Sequence, residues 1–186
     1  MKISGAIFDL DGTLLDSNEM WRGAAARYIT SLMKTPEANL GEKTKAMTLP
    51  ELCAYLKAEY RIATTEEKIA KGFNTILREG YLAGVEFKEY VPVILEKYKQ
   101  KGVKMCVVTS TNRKIADEVL ARLGIRDYLG HVQCFSNGVW NEPELYNNWV
   151  DDVTENDLSQ IIMINSNDIG FPKTEAEIEH FTDFAV

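Results

Sequence analysis

The sequence predicts an α/β fold: a Rossmann-like parallel sheet with helices on both faces, carrying an inserted all-α domain. Three observations predict it. Short apolar runs alternate with helical patterns through the second half of the chain, which calls for a parallel sheet. A helical block without strand signals fills residues 17–84. Polar clusters follow directly after Phe8, Val108 and Ile164, and sheets of this kind bind ligands at the carboxyl ends of their strands.

The elements follow in order. Ile3 to Asp9 is an apolar run closed by a turn signal, hence a buried strand. Asn18 to Lys34 carries Trp21, Ala25, Tyr28 and Leu32 at helical spacing. Thr48-Leu49-Pro50-Glu51 is a capping box with proline in the first turn, opening a helix to about Tyr60. Thr64-Thr65-Glu66-Glu67 repeats the device and opens a helix to about Glu79. Lys88 to Gln100 is a helix and Val103 to Val108 a strand. Arg113 to Leu123 is a helix stopped by Gly124. His131 to Phe135 and Ile161 to Ile164 are further strands, and Asp183 to Val186 a candidate edge strand. The expected division is a core of residues 1–15 and 85–186 with a helical domain of residues 16–84 set into it.

Composition narrows the function. The chain has 186 residues, 45% of them hydrophobic, enough for a core and a modest insertion. A formal net charge of -7 gives no basic face, so nucleic acid is not an expected partner. Cys53, Cys106 and Cys134 are scattered and odd in number, which argues for a reducing compartment. Asp9 and Asp11 interrupt the only apolar run near the start, so no signal peptide is read there. No segment reaches the roughly 20 apolar residues that span a bilayer. No membrane association and a cytoplasmic location are expected. The oligomeric state is left open.

The stretch Ile7-Phe8-Asp9-Leu10-Asp11-Gly12-Thr13-Leu14-Leu15-Asp16-Ser17 carries the chemistry. A buried strand that ends in two carboxylates needs something to pair them. A divalent cation is the usual partner. The stretch resembles the Asp-x-Asp-x-Thr signature of the haloacid dehalogenase superfamily. The element order resembles that superfamily's phosphatases with a small helical cap, the group that includes beta-phosphoglucomutase and phosphoglycolate phosphatase.

The resemblance implies a mechanism. Asp9 takes the nucleophile's place and forms an aspartyl-phosphate. Asp11 takes the place of the general acid/base. Dehalogenases of the superfamily lack an acid there, so Asp11 implies an oxygen leaving group and a small phosphorylated metabolite as substrate. The implied cofactor is Mg2+, held by the Asp9 carboxylate and the Asp11 backbone carbonyl. Thr109 takes the place of the phosphate-binding hydroxyl, with the Ser110 and Thr111 amides beside it near a helix N-terminus. The same Ser110-Thr111-Asn112 run also reads as a cap for the helix at Arg113, and both roles are compatible.

Two later motifs depart from the family pattern. Anchored on Pro143 and Tyr146, the usual lysine position holds Trp140; Arg113, Lys114 and Lys173 are the candidate replacement cations. After the last core strand, Asn165 stands where the metal-binding acid is usual, with Asp168 three residues on. An amide oxygen coordinates Mg2+ without charge, hence more weakly. Thr174 to Phe181 and Asp183 to Val186 read either as the helix and strand directly after this motif or as the family's last pair with a deletion at 170–173. The resemblance therefore implies a Mg2+-dependent phosphohydrolase. The alternative is a catalytically impaired protein of the same fold acting as a binding or regulatory module.

Overall fold

The computed structural model describes residues 3–136, 139–140, 142–154 and 160–164. Along the chain the elements are β1 Gly5–Asp9, α1 Asn18–Ser31, α2 Leu40–Thr44, α3 Leu49–Glu59, α4 Glu66–Gly84, α5 Val91–Gln100, β2 Lys104–Thr109, α6 Arg113–Arg122, β3 Leu129–Ser136, β4 Val139–Trp140, α7 Pro143–Thr154 and β5 Ile161–Ile164. The chain divides into two compact units, one of Met1–Asp16 with Glu86–Val186 and the other Ser17–Val85.

The first unit is the α/β one. Its sheet runs β4-β3-β2-β1-β5. β1 pairs in parallel with β2 on one side and β5 on the other, and β2 pairs in parallel with β3. β1 lies inside the sheet, and Gly5 to Phe8 are buried. Successive side chains of a strand point to opposite faces, and two contacts show both faces covered. The Phe8 ring lies 6.0 Å from that of Tyr98 on α5. On the other face, a Cβ at Gly5 would come within 2.6 Å of Val153 and 3.5 Å of Trp149 on α7. Glycine there is a requirement of close helix-to-strand approach.

Here the structure adds to the sequence expectation. The short β4 pairs antiparallel with β3, Phe135 opposite Trp140, and α7 follows at once. The 140–146 segment, approached only as a degenerate motif, is therefore a hairpin strand leading into a helix. Pro143 at the start and Tyr146, Trp149 and Val153 at helical spacing encode α7. Thr174 to Phe181 and Asp183 to Val186 lie outside the described residues.

The second unit is all helical. α1 packs on α2 and α4, and α3 packs on α4. The Thr48 box forms as expected, with the Thr48 N–H donating to the Glu51 carboxylate at 2.8 Å. Thr65 accepts from the Lys68 N–H at 3.3 Å and starts α4. α4 runs past the expected Glu79 to Gly84. Its buried stripe is Ile69, Phe73, Leu77 and Tyr81, and the last member receives a 2.8 Å hydrogen bond from the Trp21 indole. That contact rewards one further helical turn and outweighs the glycines at 80 and 84.

Candidate active site

The site forms where β1 and β2 end side by side, with Asp9 opposite Val108. Beyond Asp9 the chain folds into a tight loop. The Leu10 carbonyl accepts from Leu14 N–H at 3.0 Å and from Leu15 N–H at 2.9 Å. Gly12 N–H donates to the Leu15 carbonyl at 2.9 Å. Gly12 sits at φ 74°, a left-handed conformation glycine adopts without a Cβ penalty. Leu10 is fully buried between the two acids and anchors the loop to the core.

The environment of Asp9 is asymmetric. Burial pushes its carboxyl up from the usual 3.8 to about 6, against a hydrogen bond from Leu10 N–H that pulls it down. The Asp11 carboxylate pushes it up further, and the nearby Thr13 hydroxyl pulls down weakly. The Leu10 donor lies 2.8 Å from Asp9 Oδ1. Thr13 Oγ1 is wholly buried and has no hydrogen-bond partner among the described residues.

The raised carboxyl has a thermodynamic consequence. In metal-free protein the native state holds the Asp9 proton up to about pH 6, while the unfolded chain releases it near 3.8. The native state therefore binds more protons between those values. The stability this provides is fully present below pH 3.8 and is lost as pH rises through 6. Urea melts in EDTA should show Asp9→Asn progressively more stable than wild type as pH rises across that window. Equal stability at pH 4 and pH 7 would refute the buried environment of Asp9.

β2 delivers the second half of the site. Thr109 is buried, and its hydroxyl accepts the Thr111 N–H at 3.1 Å. The Thr111 hydroxyl donates to Asp11 Oδ2 at 2.7 Å across 100 residues of sequence. Ser110 is exposed at the loop tip. Asn112 accepts from Lys114 N–H at 3.1 Å and caps α6, so this run does cap the helix. The structure thus brings Asp11 into direct contact with Thr111, and through it to Thr109. The Thr111 side chain went unnoticed in the sequence, where only its amide was considered.

Of the candidate cations, Arg113 is engaged elsewhere. It donates to Asp117 at 2.7 Å and to the Val132 carbonyl at 3.0 Å, and pairs with Glu142 at 3.5 Å. These bonds tie α6 to β3. Lys114 is exposed in the first turn of α6. Trp140 lies in β4. Asn165, Asp168 and Lys173 lie outside the described residues; β5 ends at Ile164, opposite Phe8. Away from the site, the His131 ring is paired with Gln133 Oε1 at 2.9 Å, and burial pushes the Cys106 thiol up to about 12. Both are core residues.

The donor set suits a hard cation. Two carboxylates and backbone carbonyls are oxygen ligands of the type Mg2+ takes, with water completing its shell. A half-buried carboxylate pushed up to about 6 by burial fits a cation that would supply compensating charge. Among the described residues no cluster of three or more His, Cys, Asp or Glu side chains converges on one point.

The chain resembles known proteins in sequence and fold. The profile of the haloacid dehalogenase-like hydrolases matches residues 6–171. A Caldanaerobacter subterraneus protein assigned as the pyrophosphatase PpaX is 30% identical over 137 residues, covering 69% of this chain and 56% of that protein. The phosphorylated carbohydrates phosphatase of Thermotoga maritima is 26% identical over 147 residues, covering 77% and 68%. This chain therefore spans little more than half the length of the first relative. Among solved structures, a Thermotoga maritima protein assigned as a beta-phosphoglucomutase superposes with a TM-score of 0.70 at 23% identity, over 88% of this chain and 75% of that one. CbbY from Rhodobacter sphaeroides, solved with phosphate, superposes with a TM-score of 0.66 at 18% identity, over 87% and 76%. With the signature loop formed at the end of β1 and the family profile matched by residues 6–171, most of this sequence, the chain belongs to the haloacid dehalogenase-like hydrolase family.

Proposed function

We propose that the chain hydrolyses a small phosphorylated metabolite through an aspartyl-phosphate on Asp9, with Mg2+ bound. The observation that carries this reading is the signature loop at the end of β1, where Asp9 closes the strand and Asp11, two residues on, is held by the Thr111 hydroxyl at 2.7 Å. One carboxylate at the strand end and a second fixed by a hydroxyl donor supply the nucleophile and the acid/base that a two-step displacement needs.

In the first step an Asp9 oxygen attacks phosphorus, and the bond from phosphorus to the leaving oxygen breaks. Asp11 gives that oxygen its proton, so an alcohol leaves rather than an alkoxide. In the second step Asp11 takes a proton from water, whose oxygen attacks the acyl-phosphate; inorganic phosphate leaves and the Asp9 carboxylate is restored. Thr109 and Ser110 are the proposed phosphate contacts. Mg2+, held by the Asp9 carboxylate and the Asp11 carbonyl with Asn165 and Asp168 as further ligands, supplies charge neutralisation for the phosphoryl oxygens. Residues 16–84 are proposed as the specificity cap, and residues 1–15 and 85–186 as the catalytic core. The names of the relatives support phosphorylated carbohydrates as the substrate class.

The test is phosphate release from a panel of sugar phosphates and 4-nitrophenyl phosphate, with Mg2+ and with EDTA. Release in Mg2+ that EDTA removes and added Mg2+ restores is the expected result. No release from any ester, together with no Mg2+ binding at millimolar concentration, would replace the enzyme by a binding module.

A further inference from the structure

We infer that Thr111 is the positioning residue for Asp11: its buried hydroxyl fixes the carboxylate that protonates the leaving group. This deepens the proposed reaction and rests on it.

Thr111 is almost completely buried in the turn between β2 and α6, and its hydroxyl donates to Asp11 Oδ2 at 2.7 Å. Both ends of this contact are rigidly mounted. On one side, the Thr111 N–H is held by the Thr109 hydroxyl at 3.1 Å. Thr109 itself is the last residue of β2 and pairs with Cys134 of β3. Asn112 next in sequence closes the cap of α6. Threonine's branched Cβ restricts its χ1, so little rotamer freedom is lost in aiming the hydroxyl. On the other side, Asp11 stands in a loop closed by the Leu10 and Gly12 hydrogen bonds.

A donor on one carboxylate oxygen sets the plane of the group and so the direction of the other oxygen. General acid catalysis needs that oxygen within hydrogen-bond reach of the leaving atom. A donor from a short, buried and stiff side chain does this with less freedom than a long lysine or arginine. The inference separates Thr109 from Thr111. Thr109 is the residue the family pattern picks out at the strand end, while Thr111 is the one whose side chain reaches the acid.

A positioning role has a signature that a structural or phosphate-binding role lacks. A weakly basic leaving group such as 4-nitrophenolate departs without protonation; a sugar alkoxide does not. The quantity to read is kcat/KM, which reports the steps through leaving-group departure. Thr111→Val removes the donor at similar size and keeps the backbone N–H. It is expected to raise the ratio of kcat/KM for 4-nitrophenyl phosphate to kcat/KM for a sugar phosphate at least about tenfold, part of the range general acids supply. Thr111→Ser, which keeps the donor, is expected to restore the wild-type ratio. Equal losses on both esters, an unchanged ratio, or a serine variant that behaves like valine would each overturn the inference.

A second measurement does not depend on turnover. In wild type the Thr111 hydroxyl proton should exchange slowly enough to be seen by NMR, and Asp11→Ala should abolish the signal. A freely exchanging hydroxyl overturns the inference whatever the activity. A protected hydroxyl in a protein without turnover overturns the proposed reaction instead, so the two failures are distinguishable.

Discussion

Asp9→Asn is expected to lower phosphate release at least about a thousandfold, as loss of a covalent nucleophile does. The substitution is nearly isosteric. The amide oxygen still accepts the Leu10 N–H that now lies 2.8 Å from Asp9 Oδ1. Leu10 stays buried, and the loop closed by Leu14, Leu15 and Gly12 is untouched. What disappears is the carboxylate electron pair that the proposed reaction bonds to phosphorus. The same change relieves a carboxylate of its burial, since desolvation is the leading cause of its raised proton affinity. Activity and stability therefore move in opposite directions at neutral pH. Activity is read by phosphate release under saturating ester, and stability by urea melts of the same preparations. A variant that keeps more than about a tenth of wild-type turnover would remove Asp9 from the nucleophile's role.

Much of this site was legible because its determinants are local. An apolar run, two acids, a glycine and a hydroxyl describe β1 and its loop almost completely, and Gly12 adopts the positive φ that such a turn demands. Thr109 was singled out because it ends a strand. The Thr111 side chain was not, since its partner Asp11 lies 100 positions away. No spacing rule within one segment exposes such a pair. The sheet shows the same division. β1, β2, β3 and β5 were legible as apolar runs. β4 is a two-residue strand, too short to carry an alternation signal, and it exists through its pairing with β3. α7 carried its signal in Tyr146, Trp149 and Val153, but that segment was read for a motif rather than for period. α4 outran its expected end because Tyr81 is bonded to Trp21, a tertiary contact that overrides the local cost of glycine. The cation of the third motif was out of reach for the same reason. Arg113 was a reasonable candidate by position, yet its partners Asp117, Val132 and Glu142 come from three separate elements or turns.

Phe8→Ala is expected to lower stability by about 3–5 kcal/mol, the range for deleting a buried aromatic side chain. Phe8 is completely buried in the interior strand β1, opposite Val107 on one side and Ile164 on the other. Its ring lies 6.0 Å from the Tyr98 ring at 59°, a favourable tilted pair. Tyr98 is a poor candidate to close the gap, because its hydroxyl is already buried without a partner among the described residues. Movement toward the cavity would not relieve it. Against a typical total of about 5–15 kcal/mol, such a loss populates the unfolded state measurably at 37 °C. Phe8 also immediately precedes Asp9, so the variant will lose activity. The manner of the loss separates it from Asp9→Asn. Activity of Phe8→Ala should follow the folded fraction, returning as temperature falls and as urea is removed. Asp9→Asn should remain inactive while fully folded. A Phe8→Ala protein that melts within about 1 kcal/mol of wild type would mean that the β1–α5 face is loosely packed. It would also remove the packing support assumed for the position of Asp9.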